Sequence, residues 1–320
     1  MFEDFAHVWT PVALGEELKP DTTLAVQVAG TPVVLFRDRA GRASALVDRC
    51  PHRGVKLSLG TVKDGCIQCP FHGWRLDGAG KVCAVPWNPD ARLATLAGRS
   101  LATRELAGML WIYTAPDVVP PSEPTVHESL LAPGVRVSAL TLTWDAHWTR
   151  AMENMLDWPH LPFVHRSTIG RAMAKRPDAR MDITHEAHPW GMHTTIALDG
   201  EPQHGSLDLR WPNQMNLHVG RDARLMMMIV ACVPIDDGHT RMILAMARNY
   251  LTSRVWDWAF NLSTRRIAAE DRAIVESSYP VKVPLPAEEQ SVRTDAATLL
   301  FRKRYFAELA GSRASTDTAR

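Results

Sequence analysis

Cys50-Pro51-His52-Arg53-Gly54 and Cys69-Pro70-Phe71-His72-Gly73-Trp74 decide how this 320-residue chain is built. Each stretch offers one thiolate and one imidazole, in the order C-x-H…C-x-x-H. Two Cys and two His suit a [2Fe–2S] cluster in which one iron takes two sulfurs and the other two nitrogens. Neutral imidazoles in place of two thiolates remove negative charge from the cluster. The reduction potential then rises from about −400 mV to between about −150 and +300 mV. Proline fixes φ and lacks an N–H, and glycine admits φ > 0, so both stretches are expected as stiff loops. Cys66, three residues before Cys69, opens a competing Cys-x-x-Cys zinc reading. Zinc accounts for neither Cys50-x-His52 nor the repeated Cys-Pro…His-Gly context.

Around these loops, residues up to about 112 read as short strands and turns, with apolar or β-branched runs at 24–29, 33–36, 45–47, 66–68, 81–85 and 110–113. That pattern predicts a small antiparallel β domain over 1–114 from which both loops project. Trp74, Trp87 and Trp111 are expected to pack around it. Four prolines within 115–124 mark a linker. A second domain is expected over 125–310, and a small, polar, disordered tail over 311–320.

The second half combines helical spacing over 143–165 with β segments at 193–198, 207–211, 214–219, 225–233 and 241–248. A long helix follows over 255–276, its apolar stripe being Val255, Trp258, Ala259, Leu262, Ile267 and Ile274. Strands followed by a long helix argue an α+β domain, an antiparallel sheet wrapped around helices in a helix-grip-like way. Met226, Met227 and Met228 alternate faces of a strand, and core packing is the favoured role for them over lining a pocket.

Within 143–165, His160 and His165 are five positions apart, an awkward angle on a regular helix. Pro159 breaks that helix and lets both imidazoles turn toward one point. Two His and one carboxylate on one face make an open-sided Fe(II) site. Asp271 is the chosen carboxylate, with Glu270 and Glu276 as competitors. On residue chemistry alone, histidines satisfied by backbone carbonyls compete with this reading. Asn154 either orients a ligand of the iron or caps a turn.

Lys+Arg 36 against Asp+Glu 35 leaves net charge +1, which points to neither nucleic acid nor a membrane surface. The start, Met1-Phe2-Glu3-Asp4-Phe5, lacks the basic and apolar regions of a signal peptide. The longest apolar run, 226–233, falls short of the ~20 residues of a membrane helix. Cys66, Cys83 and Cys232 are expected as reduced thiols in a soluble cytoplasmic protein, Cys232 buried in a strand. Arg210, Arg221, Arg224, Arg241 and Arg248 are the cations available should the substrate be an anion.

Along nearly its whole length the chain resembles the catalytic subunit of Rieske non-haem iron oxygenases. The two Cys/His loops resemble the family's cluster motif, and Asn154, Asp157, His160 and His165 fit its N-x-x-D-x-x-H-x4-H pattern. Glu270-Asp271 is similar to the short acidic motif that carries the third iron ligand. The resemblance implies a Rieske [2Fe–2S] cluster on Cys50, His52, Cys69 and His72, and a mononuclear Fe(II) on His160, His165 and Asp271. It implies O2 as co-substrate, with NAD(P)H electrons arriving through a separate reductase or ferredoxin. It further implies a homotrimer in which Asp157 links a cluster histidine of one subunit to an iron histidine of the next. The length resembles the homotrimeric monooxygenase and demethylase branch, acting on an apolar aromatic or heteroaromatic small molecule. Ring cis-dihydroxylation is the enzymatic alternative, and a Rieske electron carrier the non-enzymatic one.

Overall fold

A computed structural model describes residues 1–220 and 223–310. The expected tail at 311–320 lies outside the described residues. The chain divides into two compact units, Met1–Pro124 and Thr125–Arg320.

The first unit is built from eleven short strands: β1 (Trp9–Leu14), β2 (Thr23–Val28), β3 (Thr31–Arg37), β4 (Ala43–Val47), β5 (Thr61–Lys63), β6 (Cys66–Gln68), β7 (Arg75–Leu76), β8 (Val82–Ala84), β9 (Ser100–Leu101), β10 (Thr103–Leu106) and β11 (Met109–Tyr113). They form three antiparallel sheets, in the orders β1-β11-β10, β2-β3-β4-β9 and β5-β6-β7-β8. Val34, Phe36 and Leu46 join Leu57, Ile67, Leu76 and Val82 in one apolar cluster that includes Cys50 and Cys69. Both cluster loops therefore stand on a packed floor. Trp111 is fully buried in β11 and Trp74 is half-buried. Trp87 departs from expectation: it is fully exposed, at φ 65°, where a left-handed turn aims its ring outward.

The second unit holds β12 (Arg136–Trp144), α1 (Trp148–Leu156), α2 (Leu161–Val164), β13 (Met181–His188), β14 (Gly191–Leu198), β15 (Glu201–Arg210), β16 (Gln214–His218), β17 (Met226–Pro234), β18 (Thr240–Arg248), α3 (Val255–Val275) and α4 (Ala296–Glu308). Among the described residues its seven strands pair antiparallel in the order β12-β18-β17-β16-β15-β14-β13. The architecture is α+β, an antiparallel sheet with few helices, as the sequence implies. α1 packs on β16 and β17, and α3 on β12 and β18. Phe301 and Tyr305 of α4 meet Trp148 of α1 edge-on, and beside them Glu153 pairs with Arg150 and Arg302. Among the described residues no helix is long and apolar enough to cross a membrane.

α3 corrects one expectation. Its buried face is Thr264, Ile267, Ala268, Asp271 and Val275, whereas Val255, Trp258, Leu262 and Ile274 are exposed. Ile267 alone of the expected stripe is buried. The first half of the helix meets the sheet through Asp257, which pairs with Arg136 and Arg248, and its buried residues all lie from Thr264 onward, with a carboxylate, Asp271, among them.

Candidate metal centres

The two cluster loops share one hydrogen-bond scheme. Cys50 donates its backbone N–H to the carbonyl of Val55, and Cys69 donates to that of Trp74, both at 2.8 Å. Gly54 in turn donates to the carbonyl of Cys50 and Gly73 to that of Cys69, at 2.9 and 3.1 Å. Both glycines sit at φ 70°, which no β-carbon tolerates cheaply, and a β-carbon at Gly73 would meet Pro86 at 3.0 Å. This closure turns each loop back on itself beneath its ligands.

His52 and His72 face each other edge-on, with ring centroids 4.6 Å apart. Trp74 stacks on His52 at 4.5 Å, and Phe71 lies 3.9 Å from His72. Nδ1 of His52 is buried and has no hydrogen-bond partner, as an atom awaiting a metal would be. Its protonation is disfavoured first by desolvation and then by His72 and Arg53, which suits a neutral imidazole ligand. Burial, with Cys69 alongside, pushes the Cys50 thiol up. Two thiolates there call for a cationic partner. The residues fit a Rieske cluster.

Cys66 lies outside this set. Its sulfur partners Cys83, at 2.8 Å, which removes the basis for a Cys66/Cys69 zinc pair.

In the second unit the helix breaks where Pro159 predicts. α1 ends at Leu156, with Asp157 as its C-cap, and α2 is a single turn that starts after His160 and stops before His165. The two histidines thus stand at opposite ends of one turn, their rings 5.1 Å apart. Nε2 of His165 lies 3.0 Å and Nε2 of His160 3.5 Å from Oδ1 of Asp271. One ligand atom from each of the three residues falls within 4.8 Å of the others. Despite these short distances, the buried Oδ1 makes no aligned hydrogen bond. Lone pairs that face a common centre rather than one another are what a cation requires, so the donor set fits iron in an open-sided two-His, one-carboxylate arrangement.

Glu270 and Glu276 take other places. Nδ1 of His165 and Oε2 of Glu270 are 2.8 Å apart, and the Thr168 hydroxyl donates to the same oxygen at 2.7 Å. With its proton on Nδ1, His165 keeps an Nε2 lone pair for the centre. Burial works against a charged His165, but Asp271 and Glu270 outweigh it and raise its pKa. Glu276 accepts the Asp145 backbone N–H and pairs with Arg272. Asp157 accepts the backbone N–H of His160 at 3.0 Å, and its Oδ2 lies 3.3 Å from Nδ1 of that ring. The Asn154 amide nitrogen is buried without a hydrogen-bond partner.

Asn154, His160, His165 and Asp271 line a cavity whose other walls include Trp158, Leu207, Met215 and Met228. A neighbouring cavity of about 260 Å³ shares Ile169, Leu217, Met228 and Ile267 with it, and adds Met226, Met246, Trp256 and Phe260. Met226 and Met228 thus line a pocket, against the expectation of core packing, while Met227 is fully buried. Ser263 is the one polar residue among the described residues that line this cavity. None of the five arginines considered for an anionic substrate is among them. Arg248 is fully buried against Asp257, Arg210 stacks on Trp190 and Arg224 lies over Tyr250. Arg241 sits in β18, and Arg221 lies outside the described residues.

A second group with ligand spacing, His127, Asp208 and His218, reads differently. Asp208 alternates with the cavity-lining Leu207, so it faces the other side of the sheet. Its carboxylate already meets His193 at 2.7 Å and Arg210 at 3.5 Å, and a guanidinium occupies the place of a cation. Burial alone would raise Asp208, but His218, His193 and Arg210 hold its pKa down to about 2. A folded-state pKa below the unfolded ~3.9 stabilises the fold above that value. The contribution is lost as pH falls toward 2. Asp208→Asn is expected to cost about 2–3 kcal/mol in urea unfolding at pH 7. The gap from the parent protein should narrow steadily below pH 4.

Comparison with known proteins agrees with this arrangement. Residues 8–97 match the Rieske [2Fe-2S] domain and residues 144–310 the vanillate O-demethylase oxygenase C-terminal domain. Methylxanthine N1-demethylase NdmA of Pseudomonas putida is 28% identical over 322 residues, covering 94% of this chain and 88% of that protein. The chlorophyllide a oxygenase of Chlamydomonas reinhardtii is 28% identical over 273 residues, 78% of this chain. The chain spans only 39% to 55% of the chlorophyllide a oxygenases and TIC 55 proteins it matches. In structure, a P. putida CBB5 NdmA mutant with theobromine superposes with a TM-score of 0.83 at 25% identity, covering 98% of this chain and 93% of that one. Dicamba monooxygenase bound to dicamba shares the fold, with a TM-score of 0.80 at 21% identity over 97% of this chain and 98% of that one. The Rieske-domain match over residues 8–97 stands against the zinc-module reading, and the match that continues through 144–310 against the bare electron carrier. With a Rieske domain followed by a vanillate O-demethylase-type domain, the chain belongs to the family of Rieske oxygenase catalytic subunits.

Proposed function

We propose that the chain is the oxygenase component of a monooxygenase that hydroxylates or demethylates an apolar aromatic or heteroaromatic molecule. The observation that carries this reading is the two-His, one-carboxylate cluster at the end of an almost wholly apolar cavity. His160, His165 and Asp271 would hold an iron, and Cys50, His52, Cys69 and His72 a Rieske cluster; together these groups would supply electrons and O2 activation for insertion of one oxygen atom. The protein's own residues set the conditions for that chemistry. Glu270 fixes the ring of His165, and Asp157 fixes the turn that carries His160. Trp158, pinned by its indole N–H to the Thr194 hydroxyl at 3.0 Å, walls off water. Asn154 offers an amide N–H, with no other partner, on the cavity wall. In this reading it orients a small polar ligand beside the metal.

At about 260 Å³ the apolar cavity lies just below the usual range of ligand sites, about 300 to 1,000 Å³. It has room for one or two rings and lacks a cation among its described lining residues. A neutral substrate bearing an N- or O-methyl group fits best, and NdmA, named as a demethylase, supports that direction. Electrons from NAD(P)H through a separate cytoplasmic reductase complete the scheme. A homotrimer is part of the same reading, supported by the exposed row Val255, Trp258 and Leu262 on α3, an apolar face that a partner would cover.

Turnover under labelled O2 with a surrogate reductase and a panel of N- and O-methylated aromatics tests the reading. Formaldehyde release is expected, with one labelled oxygen in the hydroxymethyl intermediate and in the formaldehyde trapped from it, and none in the demethylated ring. Two labelled atoms in a ring diol would establish cis-dihydroxylation instead.

A further inference from the structure

The second cluster loop rises from the β5-β6-β7-β8 sheet, and two cysteines outside the ligand set meet on that sheet. Cys66 opens β6, and its sulfur lies 2.8 Å from that of Cys83 in β8. This is only about 0.8 Å beyond the ~2.05 Å of a sulfur–sulfur bond. β6 and β8 are not neighbours, because β7 runs between them. The contact exists because β8 carries a bulge: Arg75 pairs with Ala84 and Leu76 with Val82, so Cys83 is the extra residue. A bulge re-aims the side chain it displaces, here toward Cys66. Solvent reaches the pair, Cys83 being exposed and Cys66 half-buried, whereas Cys50, Cys69 and Cys232 are buried. Desolvation and the hydrogen bond with Cys66 push the Cys83 thiol up to about 12, so Cys83 holds its proton at neutral pH.

We propose that Cys66 and Cys83 form a redox-modification site, a dithiol that closes to a disulfide by exchange with a low-molecular-weight disulfide such as oxidised glutathione. The Cys66 thiolate attacks one glutathione sulfur, forming a mixed disulfide and releasing one glutathione thiolate. The Cys83 sulfur then attacks Cys66 in that mixed disulfide, and the second glutathione leaves. Two electrons pass from the pair to the reagent, and the two thiol protons end on two reduced glutathiones. The bond formed staples β6 to β8 across β7, and β6 and β7 are the strands that flank the loop carrying Cys69 and His72.

The experiment equilibrates the anaerobic holoenzyme with graded mixtures of reduced and oxidised glutathione. Acid quenching, alkylation and peptide mass mapping read the thiols, and visible absorption reads the cluster. Cys66 and Cys83 are expected to lose alkylation together and to appear in one crosslinked peptide pair. Dithiothreitol should restore both, while cluster absorption persists. Cys83→Ser should yield no crosslink and leave glutathione attached to Cys66. Pairwise loss of both thiols in a single two-electron transition supports the site. Both thiols staying alkylatable in oxidised glutathione alone would overturn it. So would separate glutathione adducts on each cysteine, or a Cys66–Cys69 crosslink in the Cys83→Ser variant.

Discussion

Asp271→Ala is expected to empty the mononuclear iron site and reduce turnover to background, while the Rieske cluster is still reduced normally. Removing one of three protein donors leaves two imidazoles at the ends of one helical turn, too few to hold a divalent metal against water. The neighbouring carboxylate gives the contrast. Glu270 touches His165 from behind, through Nδ1, so Glu270→Gln should weaken iron retention by about 10- to 100-fold without abolishing assembly. Iron analysis after dialysis against a chelator, with the cluster's absorption as the internal standard, separates the two variants. Complete loss of iron in Glu270→Gln, with retention in Asp271→Ala, would exchange their roles.

The second large effect concerns communication between the two centres, and it rests on the proposed homotrimer. Chains with His52→Ala are expected to lack a competent cluster, and chains with His160→Ala a competent iron, so each trimer alone should be inactive. Co-expressed chains that form verified mixed trimers should regain a substantial part of the parent activity. The gain follows if an intact cluster on one chain faces an intact iron on another. Asp157 is the residue proposed at that boundary. Within its own chain it already accepts the His160 N–H and lies beside Nδ1 of the same ring. Asp157→Asn, which removes the charge but nearly keeps the shape, should retain both metals and lose coupling between cluster reduction and product formation. Persistent inactivity of the mixed trimers would place electron transfer within a single chain.

How much of this was legible in the sequence depended on what constrained each residue. Metal ligation constrains both type and spacing, so the Cys/His loops, and His160 and His165 on either side of a proline break, stood out from one chain alone. The α+β class followed from turn chemistry and periodicity. The buried face of α3 did not, because amphipathy marks two faces of a helix without saying which one a sheet covers. Asp271 is favoured over Glu270 from the sequence alone, but the geometric ground for preferring it comes from coordinates. Neighbouring helical positions diverge by about 100°, and here one carboxylate points at the centre while the other reaches the back of the His165 ring. The Cys66–Cys83 contact depends on a single-residue bulge in β8, a feature with no local signature in composition. Trp87 shows the same limit from the other side: an aromatic residue in a β domain belongs in a core unless a turn throws it outward.

The thioether walls of the 260 Å³ cavity have a consequence for how such an enzyme diversifies. Met226, Met228 and Met246 present unbranched, polarisable chains that re-pack around guests of different outline. A wall of this kind gauges bulk and offers little to read by hydrogen bonding. Each methylene of misfit then costs a competing guest only about 1–3 kcal/mol, a shallow gradient beside the penalty for leaving a buried polar partner unmatched. Under the proposed function, selection can therefore move preference from one methylated ring to another by changing a few wall residues, with the metal-holding frame left alone. On this scaffold, chemistry is inherited and appetite is acquired.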